Sequence, residues 1–142
     1  MNIFITNSNP RLSAESLRHD KKRRGKMILE SAQMLCSALS EFYEVPYKPT
    51  HKNHPCTKWV RYSKQNAEWL VEYCDCLEKI RLEEGCNPHK SYQVIKSLDL
   101  SVLPSNGLSD FVNCTDYKDL SVFTAYQKHL KDKWKKHLTT QK

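Results

Sequence analysis

Between Met27 and Phe42 the apolar residues Met27, Ile28, Leu29, Ala32, Met34, Leu35, Ala38, Leu39 and Phe42 cover most of the circumference of a helix. A surface helix buries one stripe, whereas a helix that is apolar on several sides needs neighbours on several sides. The segment therefore predicts a central helix with others packed around it. One line along it departs from this pattern. Arg23, Lys26, Glu30, Gln33 and Ser37 recur at spacings of three, four, three and four, which puts their side chains on one face. That face is either an ordinary solvated surface or the polar wall of a pocket.

The remaining segments supply the neighbours. Asn2 to Thr6, with Ile3, Phe4 and Ile5 followed by Asn7, Ser8, Asn9 and Pro10, reads as a short strand. Leu12, Ala14 and Leu17 predict a short amphipathic helix that opens on Pro10 and runs without a linker into the basic block Arg18 to Lys26. Tyr43 to Pro55 holds three prolines and little periodicity, hence a loop. A long helix is expected from about Thr57 to Glu83, with a core stripe of Leu70, Tyr73, Cys74, Leu77 and Ile80. Extended backwards, the stripe passes through Ala67, Asn66, Ser63, Val60 and Trp59 and turns polar, and a buried polar group there needs a partner in protein, water or ligand.

Asn87 before Pro88 suggests the cap of a helix carrying Tyr92, Val94, Ile95 and Leu98, followed by a turn at Leu103 to Gly107. The last helix, about Leu120 to Leu138, has Phe123, Tyr126, Leu130 and Trp134 on one side and lysines on the other. A chain of 142 residues fits one core. The expected fold is mainly α, a compact single-domain helical fold spanning 1–142 with one short N-terminal strand.

Composition narrows the partners. The formal charge of +7 favours anionic ligands, although by itself it is a weak signal. No run approaches the roughly 18 apolar residues of a membrane span, and the start lacks the pattern of a signal peptide. No membrane association, a cytoplasmic location (in a bacterial host if the chain is phage-encoded) and free thiols at Cys36, Cys56, Cys74, Cys76, Cys86 and Cys114 are the expectations.

The densest local feature runs from Tyr47 to Arg61. Lys48, His51, Lys52, His54 and Arg61 supply cationic or polar donors and Asn53 an amide, ahead of a helix whose first turn has unpaired N–H groups. This chemistry suits a phosphate. The plain alternative is a surface loop whose side chains cap and solvate it. Trp59, Asn66 and Trp69 follow closely, and aromatic faces stack on bases. The block Arg18 to Lys26 is a second basic cluster, again either phosphate-binding or merely solvated.

Glu30 interrupts an apolar helix and is the natural acid/base candidate, with an ion pair to Lys26 or Arg23 as the structural alternative. His51 with His54, or Cys74, Cys76 and Cys86 with His89, are plausible ligand types for a metal, but neither spacing matches a common zinc motif, so no metal or other cofactor is expected. Glycine-rich phosphate loops, Gly-x-Ser-x-Gly elbows and His-Glu-x-x-His helices do not occur.

Three stretches taken together resemble small phage and bacterial proteins of the pyrimidine-dimer DNA glycosylase-like group: Met1 to Ile5, Lys22 to Leu35, and Tyr47 to Arg61 continuing through Asn66 to Leu70. The resemblance covers roughly residues 1 to 95, and the run from Lys48 to Thr57 is its most specific part. Endonuclease V-type glycosylases attack a lesion's sugar with an N-terminal α-amino group, helped by a glutamate on an early helix and nearby basic residues. The resemblance implies those auxiliary roles for Glu30, Arg23 and Lys26. Those enzymes expose a small residue after methionine removal, whereas Asn2 leaves Met1 in place. Either Met1 supplies the amine or the glycosylase chemistry is absent.

The expected function is accordingly a phage-type protein that binds a phosphate-bearing nucleotide or nucleic acid in a basic, aromatic-lined pocket. The ligand-binding residues expected are Arg23, Lys26, Glu30, Gln33, Lys48, His51, Asn53, His54, Arg61, Asn66 and Trp69. Alternatives are a DNA-lesion glycosylase/lyase acting through an N-terminal amine and Glu30, and non-enzymatic sequestration of a host nucleotide immune signal. Whether the protein is an enzyme is left open, as is assembly into a homo-oligomer.

Overall fold

The computed structural model describes residues 2–140, with side chains through residue 136. Met1, and the side chain of Leu138 assigned above to the last helix, lie outside the described residues. The described chain is mainly helical, with helices α1 (Pro10–Glu15), α2 (Lys21–Leu39), α3 (Pro55–Tyr62), α4 (Lys64–Glu83), α5 (Lys90–Ser97) and α6 (Val122–Thr140) and a short 3-10 turn at Leu100–Val102.

Helix α2 is the centre that its apolar circumference predicts. It packs against α3, α4 and α5, and α1 lies on α4. Met27, Ile28, Ala32, Met34, Leu35, Ala38 and Leu39 are fully buried. Leu29 and Phe42 are exposed, so the burial is not complete. The stripe Leu70, Tyr73, Cys74, Leu77 and Ile80 on α4 is buried against it. Removing one large aliphatic side chain from this contact, such as Leu35 or Leu70, costs about 2–5 kcal/mol.

The expected strand at Asn2–Thr6 does not form among the described residues. A strand needs a neighbouring strand to pair its backbone, and here Ile3, Phe4 and Ile5 are buried among helices instead. The segment threads through the helical core in extended form. Its carbonyls are met by side chains: Tyr73 Oη donates to Phe4 at 3.1 Å and Gln127 Nε2 to Thr6 at 3.0 Å.

Three helix boundaries also differ from expectation. A turn separates α1 from α2, and Asp20 caps α2 by accepting from the Arg23 amide at 3.1 Å. The long helix breaks at Ser63, whose extended backbone (φ −154°, ψ 139°) ends α3 while its hydroxyl caps α4. The freed Lys64 amide donates to Pro104 at 2.8 Å, so a distant loop supplies what sequence periodicity could not show. Helix α5 is capped by His89 rather than Asn87, with Nδ1 accepting from Ser91 N at 3.1 Å.

The basic block is divided among structural tasks. Arg24 is buried, donates to the Leu17 and Arg18 carbonyls and pairs with Glu84. Arg18 pairs with Glu15 at 2.7 Å and Arg23 with Asp20 at 2.9 Å. Lys21, Lys22 and Lys26 remain exposed.

Candidate functional site

The polar line on α2 and the loop after it meet at Ser37. This residue is fully buried. Its hydroxyl donates to the Thr50 carbonyl at 2.8 Å and accepts from the Thr50 amide at 2.9 Å. A buried serine with both functions used in this way holds the loop against the helix. Just beyond, His51 adopts φ +50°, the left-handed region that costs a non-glycine residue strain, and its carbonyl accepts from the His54 amide at 3.1 Å. The tight turn sends the chain into α3.

On one side of this clamp lies an open cleft of about 370 Å³ lined by Leu29, Gln33, Pro46, Tyr47 and Lys48. Gln33 comes from the polar face of α2 and Lys48 from the loop, so two residues singled out on separate segments share one wall. Tyr47 is half-buried and its hydroxyl is hydrogen-bonded to Ser91 at 2.8 Å, which fixes the ring. Sequence reasoning placed Tyr47 only at the edge of the basic run. The signal that could have found it is the pair of flanking prolines, Pro46 and Pro49, which restrict the backbone around it.

A second group of titratable residues comprises Glu30, His51 and His54. Burial lowers the His54 pKa below the ordinary imidazole value, the neighbouring His51 pushes the same way, and the Glu30 carboxylate opposes both. Those interactions put His51 and Glu30 each within electrostatic reach of His54. His54 Nδ1 caps α3 by accepting from Cys56 N at 3.1 Å. Cys56 Sγ is 3.8 Å from Cys114 Sγ. The Cys56 thiol holds the pKa of Cys114 down at about 6, and that of Cys56 is correspondingly raised. The Cys114 amide donates to Tyr126 Oη at 3.2 Å, and that hydroxyl donates to Asn2 Oδ1 at 3.1 Å. The beginning of the described chain is thereby tied beside the His54 and Cys114 cluster. Cys114 was not singled out beforehand, since a loop 58 residues from Cys56 offers no local spacing to read.

The other expected ligand residues scatter. Lys26 is exposed on the same α2 face, and Asn53 is exposed at the loop tip beside Lys52. Arg61 braces the loop from behind, donating to the Lys52 carbonyl at 3.2 Å and lying 3.9 Å from Glu41. Arg23 sits at the far end of α2 against Asp20, near a small basic recess closed by Trp134.

Asn66 and Trp69 belong to the interior. Asn66 is fully buried; its Nδ2 donates to the Trp59 carbonyl and to Ser109 Oγ, both at 2.8 Å, and its Oδ1 accepts from Ser109 N at 3.0 Å. Its amide is therefore spoken for by protein. Trp69 is only 5% exposed, donates to the Ser8 carbonyl at 2.8 Å, and packs on Trp59, Tyr73 and Phe111.

Comparison with known proteins finds no matching family model, no matching curated protein and no matching solved structure. Among the described residues no helix is long and apolar enough to cross a membrane. All six cysteines are free.

Proposed function

We propose that the protein binds a phosphate-bearing nucleotide, free or at the end of a nucleic acid, in the cleft between α2 and the 46–48 segment. The observation that carries this reading is the shared wall of Gln33, Tyr47 and Lys48, held in register by the Ser37 clamp on Thr50. Tyr47 offers a fixed aromatic face for a base, Gln33 both a donor and an acceptor for its edge, and Lys48 a cation for phosphate. Exposed Lys26 and Lys52 add long-range attraction without fixing geometry. The likeness of Lys48 to Thr57 to a DNA-repair group points to the same ligand class.

Two measurements test the reading. Small molecules released by heating the purified protein are weighed by mass spectrometry, and the protein is titrated with mononucleotides, dinucleotides and a short oligonucleotide. Binding of a nucleotide, recovered intact, supports recognition without chemistry and fits sequestration of a nucleotide signal. Failure of every nucleotide and oligonucleotide to bind contradicts the proposal.

A second reading is glycosidic-bond chemistry, for which Glu30 would serve as acid/base group and Met1 as the amine. It is favoured by Asn2, whose side chain is held by Tyr126 beside Cys114, close to His54, on which the Glu30 charge acts. Borohydride trapping on lesion-containing duplex DNA would leave a covalent adduct, abolished by blocking the amine. No adduct on any lesion removes this reading and leaves the binding one intact.

A further inference from the structure

We propose that His54, Cys56 and Cys114 form a binding site for a borderline divalent metal ion of the zinc type, with the fourth coordination position open to solvent or to an exogenous ligand. This site is separate from the α2 cleft, and the inference does not depend on nucleotide binding.

Among the described residues this is the one trio of His, Cys, Asp or Glu whose ligand atoms all lie within 4.8 Å of one another. Two thiolates each about 2.3 Å from a tetrahedral zinc stand roughly 3.8 Å apart. The Cys56 and Cys114 sulfurs are separated by 3.8 Å, so an ion can enter between them with little movement of either. Two sulfurs and one imidazole are the donor types that zinc takes when it keeps an exchangeable fourth position, and they disfavour magnesium and calcium.

The backbone explains why the residues converge. Residues two apart inside a helix point in different directions, which is why Cys74 and Cys76 within α4 cannot share an ion. His54 is the extended cap residue of α3, with φ −65° and ψ 138°, so it turns back over Cys56 in the first turn. Cys56 is buried in the first turn of that helix, and an ion bound there displaces its thiol proton. Cys114 arrives from the opposite side on a loop fixed by Tyr126 and by buried Thr115, whose amide donates to Asn113 Oδ1 at 3.0 Å. The ligands thus belong to two independently anchored segments. His54 and Cys114 are each only half-buried, which leaves an entry path.

Binding has one identifiable cost. A ring nitrogen that holds the ion requires Nδ1 either as the ligand atom or as the protonated one, and in both cases the bond from the Cys56 amide is given up. The ion replaces that cap and ties the start of α3 to the 114 loop.

The test is titration of the reduced, full-length protein with cobalt(II), followed by competition with zinc(II). The proposal expects one equivalent of cobalt with thiolate charge-transfer absorption and the visible bands of a tetrahedral ion, displaced by zinc. Cys114→Ser, at a half-buried position, should weaken binding by about a hundred-fold or more while the helical signal is kept. His54→Ala should weaken it less, and Cys76→Ser and Cys86→Ser should leave it unchanged. No cobalt–thiolate absorption, an octahedral spectrum, loss of binding in Cys76→Ser or Cys86→Ser, or pairing of Cys56 and Cys114 as a disulfide in preference to metal would each overturn it.

Discussion

Ser37, buried in the last turn of the central helix, exchanges two hydrogen bonds with the backbone of Thr50, at 2.8 and 2.9 Å. The same serine ends the polar line that begins at Arg23, so the feature that sets one face of α2 apart is also what attaches the basic loop to it. The loop's position is therefore set by the core and not by its own sequence. Replacing Ser37 with Ala strands a Thr50 amide and carbonyl at a half-buried position, which costs about 1–3 kcal/mol. Chemical denaturation should show that loss. Nucleotide affinity, measured well below the unfolding midpoint, should fall as the loop loosens; unchanged affinity would detach the loop from the site.

Asp20 joins two helices. It caps α2, pairs with Arg23 at 2.9 Å and accepts from Trp134 Nε1 of α6 at 2.7 Å. Burial pushes its pKa up, but the bonds from Trp134 and Arg23 outweigh this and leave it below the ordinary carboxylate value. Asp20→Ala should cost about 2–3 kcal/mol, the loss of a cap together with a charge-assisted pair. Trp134→Phe should cost less and should shift the acid limb of unfolding to higher pH, because stability from a carboxylate with a lowered pKa is lost as pH falls through that value. Equal acid profiles for the two proteins would contradict this role.

Asn66 separates interior from site. With three hydrogen bonds to Trp59 and Ser109, its replacement by Ala should destabilise the fold by about 2–3 kcal/mol. The folded fraction should bind nucleotide as the parent does. A selective loss of affinity at full stability would instead place Asn66 at the ligand.

The contrast between Asn66 and Gln33 shows what was legible in the sequence. Periodicity identified α2 as the centre, the stripe on α4 and the aromatic side of α6, because burial of a helix face leaves a repeat in the chain. It also showed that Asn66 lies on a buried line, but a buried amide looks the same whether a ligand or a distant loop satisfies it. Ser109 decided that question from 43 residues away. The helix break at Ser63 and the strand that did not form at Ile3 to Ile5 have the same origin. In each, partners remote in sequence, Pro104 and Tyr73, determine what the local backbone does.

His89 gives the fold a pH dependence. Burial and the charge of Arg81 hold its pKa below the ordinary 6.5, although its Nε2–H donates to the Gly25 carbonyl. A histidine with a lowered folded pKa contributes stability that is present above its unfolded value and is lost as pH falls through the folded one. Protonation of Nδ1 also breaks the cap of α5. Unfolding free energy should therefore decline from pH 7.5 to pH 5, roughly the range around and below the ordinary histidine value. His89→Asn, which keeps a capping side chain, should flatten part of that decline. An identical slope in the variant would assign the pH dependence to other histidines.

The central claim, a nucleotide held between Gln33, Tyr47 and Lys48, is tested most directly by calorimetric titration of the parent protein and of Lys48→Glu with the tightest-binding nucleotide of the panel. Lys48 is exposed, so its reversal leaves the fold intact. The account predicts one site in the parent and a loss of at least about ten-fold in affinity in the variant, as expected when an attractive charge at a phosphate is replaced by a repulsive one. Equal affinities, or no nucleotide binding by the parent, would contradict it.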